Sequence, residues 1–426
     1  MLKKIFSQIL LFHLIAIISN AQSVSNSADT LQITLPEAEQ IVLANNLSIA
    51  AAKYGIDINK AYLLQAKLWD NPNLTVTQNI YDGHWLKHGK ENGEFTGQWY
   101  VQVEQIIRTA GKRSKLANIA STSVTQSEIQ FQDLLRSLRF AIRNNFYQLS
   151  ALLTTRNTYT SELIHISQLL KGMSQQYNSG NISQKEYLRL QALEFSLRQS
   201  LAGIDSQINS TQSDIRILLQ ANNSTFIKPA TILPTEITEI PSFDAIYQTA
   251  LQYNPEYLFE KTQLQLQKNN YVYQKALSVP DITLSPEFDH NSSYKPNIWG
   301  LGVSLPIPLL NKNQGNIKAS RLTIQLEETM VKQQENKLFH TVQSNLNELL
   351  ITGKNLQQTD SSYLKNYAAL VLNALESFKN RQISLIEFID LFESWRDTQI
   401  QYLQLQLNYQ LAKENLNYSA GKDVIN

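Results

Sequence analysis

Trp69-Asp70-Asn71-Pro72-Asn73-Leu74-Thr75-Val76 reads as the end of a helix, a proline stop and the start of a strand. The chain repeats the statement at Ser278-Val279-Pro280-Asp281-Ile282-Thr283-Leu284. The match extends from Asn46–Val76 to Asn254–Leu284 at a constant offset of about 208 positions. A second echo sets Tyr177-Asn178-Ser179-Gly180-Asn181-Ile182-Ser183 against Phe378-Lys379-Asn380-Arg381-Gln382-Ile383-Ser384. A period near half the chain is far longer than a solenoid unit and implies a duplicated plan about a pseudo-symmetry axis. The expected halves are 22–232 and 233–426, each with a helix, a strand pair and a long helical hairpin.

Working outward, Thr34 and Pro36 mark the start of a helix expected to run from Leu35 to Leu68. Beyond Pro72, the alternation of Leu74, Val76 and Ile80 with Thr75, Thr77 and Asn79 predicts a strand from Asn73 to Tyr81. A second strand is expected from Gln98 to Ile107, with Trp99, Val101 and Val103 on one face. In the second half, strands are expected from Asp281 to Phe288 and over the alternating Trp299, Leu301, Val303, Leu305 and Ile307. Strands of about nine residues suit a tilted membrane span, but four of them cannot close a barrel. Open edges are not viable in lipid, so another element or another chain must cover them.

Between the strand pairs lie long helical patterns at about 113–177 and 183–220, with counterparts at about 316–378 and 384–418. Leu190, Leu193, Leu197, Leu201, Ile204, Ile208, Ile215 and Leu218 recur at threes and fours, as do Leu385, Phe388, Phe392 and Trp395. Some 65 helical residues reach on the order of 100 Å, several times a small domain's diameter. Asn222 to Pro241, with Pro229 and Pro234 inside it, reads as a linker.

The N-terminus carries Lys3 and Lys4, an apolar run from Ile5 to Ile18, and Ser19-Asn20-Ala21. That is the pattern of a cleavable signal peptide over 1–21, too short to span a bilayer. No cysteine is present, so no disulfide, thiolate site or lipid-bearing cysteine is available. No later run of eighteen apolar residues exists, which excludes a helical inner-membrane protein. The net charge of +1 has no clustered basic surface for nucleic acid.

In this order, four places resemble the TolC family of outer-membrane efflux channels, nearest its cobalt-zinc-cadmium and copper-silver branch. They are the Leu35 to Ala44 helix start with Asn45-Asn46, the Pro72-Asn73-Leu74 junction, Gly111-Lys112-Arg113, and Leu305-Pro306-Ile307-Pro308-Leu309 with Asn313-Gln314-Gly315. The resemblance implies a mainly α protein with a long coiled-coil α-helical barrel and a small transmembrane β-barrel. Three protomers would each give four strands to twelve, standing in the outer membrane and extending into the periplasm. It also implies partners: a periplasmic adaptor and an inner-membrane RND transporter.

By the same resemblance, the adaptor would dock at the two helix-to-helix turns, Asn178, Ser179, Gly180 and Asn181 in one and Asn380, Arg381 and Gln382 in the other. Arg381 departs from the family's glycine. Glu387 and Asp390 stand at i and i+3, where a threefold axis would gather six carboxylates into a periplasmic gate. The first half has Glu186 and Arg189 instead. Gly111-Lys112 is no phosphate loop, because the first glycine of one would fall at Ile106.

His84, His88 and His290 fall in expected loops, where imidazoles can meet metal, yet six histidines cluster by chance and no metal site is assigned. Trp85, Trp99, Tyr100, Tyr294 and Trp299 near strand ends suit an interfacial aromatic belt. No hydrolase elbow, zinc helix or phosphate loop is present, so neither catalysis nor a cofactor is expected. The expectation is a passive exit duct for metal cations or small toxic compounds. The alternatives are a periplasmic adaptor or coiled-coil interaction protein, and a duct for drugs or peptides.

Overall fold

The computed structural model describes residues 30–81, 90–91, 94–95, 98–230, 233, 237–290, 295, 297–359 and 361–425. The signal-peptide segment, His84, His88, Trp85 and Tyr294 lie outside the described residues. In chain order the first half runs β1 (Thr30–Ile33), α1 (Leu35–Asn45), α2 (Leu47–Lys67), β2 (Asn73–Gln78), β3 (Lys90–Glu91), β4 (Glu94–Phe95), β5 (Trp99–Ile107), α3 (Lys112–Asn178) and α4 (Gln184–Leu219). There follow β6 (Phe226–Pro229), α5 (Phe243–Tyr253), α6 (Pro255–Leu277), β7 (Ile282–His290), β8 (Ile298–Ser304), α7 (Gln314–Gln358), α8 (Ser361–Lys379) and α9 (Leu385–Ala420). Among the described residues no helix is long and apolar enough to cross a membrane.

Two compact units share the chain, and each draws on both halves of the sequence. The first takes the chain up to Asn45, Ile142–Pro234 and Lys365–Leu407. Its heart is a dry cluster in which Ile166 of α3, Leu190 and Leu197 of α4, and Leu385, Phe388 and Phe392 of α9 are buried together. The threes-and-fours spacing thus points one stripe of each helix inward. In the same unit β1 and β6 pair in parallel. Asn222–Pro241 is therefore not a plain linker: Ile227 is fully buried, and its backbone is held on both sides by the Gln212 side chain.

The second unit holds Asn46–Ala141, Thr235–Leu364 and Asn408–Asn426. Its centre is a four-stranded antiparallel sheet in the order β2-β5-β7-β8. The fourth strand stops at Ser304, short of the expected Ile307, because Pro306 and Pro308 have no N–H to donate.

Two expected helices are each broken. Asn46 has an extended backbone (ψ 121°) and its side chain accepts from the Ser48 N–H, so it ends α1 and caps α2. Asn254, at the same place in the second half, caps α6 in front of Pro255. The helix expected from Asn316 to Phe378 breaks at Thr359, which is extended (ψ 113°) and turns its hydroxyl back to the Asn355 carbonyl.

Candidate functional site

The two helix-to-helix turns, both in the first unit, are built alike. In the first, Asn181 N–H donates to the Gln176 carbonyl at 2.8 Å and Gly180 N–H to Tyr177 at 2.9 Å. In the second, Gln382 N–H donates to Ser377 at 2.8 Å and Arg381 N–H to Phe378 at 2.9 Å. These are the paired bonds of a Schellman helix end, which requires a left-handed residue in the penultimate place. Gly180 (φ +74°) and Arg381 (φ +59°) supply it.

Across each turn two rings stack, Tyr177 on Tyr187 at 5.0 Å and Phe378 on Phe388 at 5.4 Å. Asn181 and Arg381 line one open cleft of about 740 Å³, floored by Met173, Phe378 and Ile383. The rim is polar and the floor apolar, the arrangement that admits an amphipathic protein segment.

Past the turns the halves diverge. Ser183 and Glu186 form a reciprocal capping box: Glu186 N–H donates to the serine hydroxyl, and the Ser183 N–H donates to the Glu186 carboxylate at 3.0 Å. Ser384 accepts from Glu387 N–H at 3.2 Å, but the Glu387 carboxylate has no partner among the described residues. Glu387 and Asp390 are both exposed, while Phe388 and Ile389 between them are buried at 0% and 4%. Packing therefore fixes the helix face and leaves both acids on the open side. Arg189 occupies the corresponding exposed place on α4.

The sheet separates two faces, interrupted by Gln78 and Gln105 on the apolar side and by Ile106 and Ile298 on the polar side. One carries Leu74, Val76, Val101, Val103, Leu284, Phe288, Trp299, Leu301 and Val303, most of them exposed. Trp99, Phe288 and Trp299 meet on it, with centroids 5.2 and 4.9 Å apart. Trp99 also lies 5.6 Å from His290, whose Nδ1 is 2.7 Å from the Asn297 side-chain oxygen. Tyr100 does not join this belt. Next to Trp99 in an alternating strand it must face the other way, and there its hydroxyl donates to Glu287 at 2.5 Å. That polar face also bears Gln102, Glu104, Ser285 and Asp289, with Gly300 leaving the room that the Glu287 side chain fills. Apolar alternation marks these strands in the sequence and is silent on the acids between.

Residues 39–219 match the family model described as outer membrane efflux protein. The match spans less than half of the chain. Over 288 residues it is 19% identical to the cobalt-zinc-cadmium resistance protein CzcC of Cupriavidus metallidurans. The match covers 67% of this chain and 65% of that relative, a little under two thirds of the relative's length. In fold it is similar to CusC, with a TM-score of 0.74 at 15% identity over 92% of this chain and 93% of the other. The outer membrane protein VceC of Vibrio cholerae gives 0.71 at 13% identity, over 92% and 97%. The fold is that of CusC and VceC: mainly α, with long helical hairpins and a small sheet.

Within the matched residues, Gly111-Lys112-Arg113 has a structural task at the junction of sheet and helix. Lys112 is buried, with its ammonium 2.7 Å from Asp281, and Asp281 also accepts from the Thr109 N–H. Arg113 lies 3.8 Å over the Trp69 ring. Arg108 grips Asp70 with two hydrogen bonds of 2.7 and 2.8 Å. Among the described residues no group of three or more acidic or histidine side chains could hold a metal ion.

Proposed function

We propose that this protein is the outer-membrane exit duct of a tripartite efflux system. The observation that carries the reading is the sheet, which exposes one apolar face and ends in two open edges, β2 and β8. An apolar face of that size in water is a liability, whereas in lipid it is the solvated side. Open backbone edges in lipid cost several kcal/mol per unpaired group, so β8 of one copy pairs with β2 of the next. Three copies then give a closed barrel of about twelve strands, with the polar face toward the lumen. The chain's two halves, 22–232 and 233–426, become six quasi-equivalent units around one pore.

On this reading the two turns are the docking tips for a periplasmic adaptor, which links the duct to an inner-membrane RND transporter. Glu387 and Asp390 gather about the threefold axis as a gate. Metal cations are the favoured cargo, supported by the relative named for cobalt, zinc and cadmium resistance. A duct for drugs or peptides is the competing reading. An adaptor is disfavoured by the amphipathic four-stranded sheet.

Fractionation and bilayer recording test the proposal together. The protein is expected in outer-membrane fractions as a trimer, giving cation-preferring conductance in planar bilayers. Recovery as a soluble periplasmic monomer would overturn it. Loss of tolerance to cobalt, zinc or cadmium on deletion, restored by the gene, separates metal cargo from drug or peptide cargo.

A further inference from the structure

Glu162 of α3 is 1% exposed, and among the described residues neither oxygen of its carboxylate has a hydrogen-bond partner. Among the described residues, the charged groups facing it are Glu393, Arg396 and Asp397, all from α9. The Trp395 indole nitrogen on the same helix is also buried and unpartnered. Arg396 is the one cation of the set, and it is turned elsewhere. Its guanidinium donates to Asp397 at 2.9 Å and lies 5.7 Å over the Tyr159 ring.

An ionised carboxylate without hydrogen bonds is not tolerated in such a place. Burial, opposed by Arg396 and reinforced by Asp397 and Glu393, pushes the Glu162 carboxyl up to about 8. It is neutral at pH 7 and leaves Arg396 to its neighbour. Once the proton is lost to solvent, Glu162 needs a counter-ion, and the guanidinium is the group on hand.

We propose that Glu162 and Arg396 form a proton-operated latch between α3 and α9: protonated Glu162 leaves Arg396 on Asp397, and deprotonated Glu162 takes the guanidinium from it. The exchange draws α9 toward α3. Because α9 also carries Glu387 and Asp390, the latch regulates the gate, a consequence that rests on the duct reading. The latch itself does not.

The chain has no cysteine, so a pair can be introduced for labelling. Ile164 on α3 and Ile386 on α9 are 52% and 53% exposed and outside the latch. Nitroxides at Ile164→Cys and Ile386→Cys, in full-length protein diluted with unlabelled chains, report the distance between the helices from about pH 6 to about pH 10. The distance is expected to shorten with a midpoint near pH 8, to stay fixed in Glu162→Gln, and to change at lower pH in Asp397→Asn. No change in the parent, or the same change in Glu162→Gln, would overturn the latch. A distance change in a protein that passes no current sustains the latch and overturns the duct.

Discussion

Gly180 and Arg381 hold the same left-handed backbone in equivalent turns, and only one of them is a glycine. A side chain costs about 1–2 kcal/mol in that conformation, while glycine gives back about 0.4–1 kcal/mol through the freedom of the unfolded chain. The two terms partly offset at Arg381, so Arg381→Gly is expected to raise stability by no more than about 1.5 kcal/mol. Gly180→Val adds β-branching to the strain and is expected to cost about 2 kcal/mol. Urea midpoints of the two variants, measured side by side, check the difference. Equal losses would show that the turns are not held by their left-handed residues.

Among the described residues the Glu387 carboxylate has no partner, where Glu186 is committed to its cap, and this asymmetry directs the second prediction. Glu387→Ala with Asp390→Ala is expected to raise single-channel conductance and weaken block by multivalent cations, because a ring of carboxylates binds such ions at close quarters. Arg189→Ala is expected to leave both unchanged. Planar-bilayer recordings with and without a trivalent cation decide it, and an unaltered block in the double variant would remove these residues from the gate.

Lys112 and Asp281 fasten the sheet to the long helix through one nearly buried ammonium. Removing Asp281 strands that charge, so Asp281→Ala is expected to cost about 2–4 kcal/mol; Lys112→Ala costs less, since Asp281 is one-third exposed and keeps its Thr109 bond. Lys112→Met in the Asp281→Ala background is expected to recover part of the loss. A double-mutant cycle with a coupling energy of about 1–2 kcal/mol is the expected reading.

What could be read from the sequence and what could not follow the range of the interactions. Strand faces were legible because alternation is a two-residue rule, and the turns because Gly180 and its counterpart sit between helical periodicities. The break at Asn46 carried a signal, an asparagine before Leu47-Ser48, which the uninterrupted helical period masked. Tyr100 stands outside the aromatic belt because its parity, one position off from Trp99, turns it to the polar face. Glu162 was invisible for a different reason: its burial is set by Glu393, Trp395 and Arg396, more than two hundred positions away. Nothing local separates it from an ordinary solvated glutamate.

Glu162 also makes stability depend on pH in a direction opposite to most carboxylates. Its carboxyl rises from 4.5 to about 8 on folding, so the folded chain holds a proton that the unfolded chain releases. Stability from this group is fully present below about pH 4.5, falls as pH rises, and is lost above about pH 8. The span corresponds to roughly 3–5 kcal/mol per chain if the site stays closed, less where Arg396 answers the new charge. Thermal melting between about pH 5 and about pH 9 is therefore expected to show a decline that Glu162→Gln flattens. Glu162→Leu, which removes the buried polar group, is expected to melt higher than the parent at pH 9 and to differ little at pH 5. A parent and a Glu162→Gln variant that decline in parallel would mean that the carboxyl is hydrated in solution, and the neutral buried form would have to be given up.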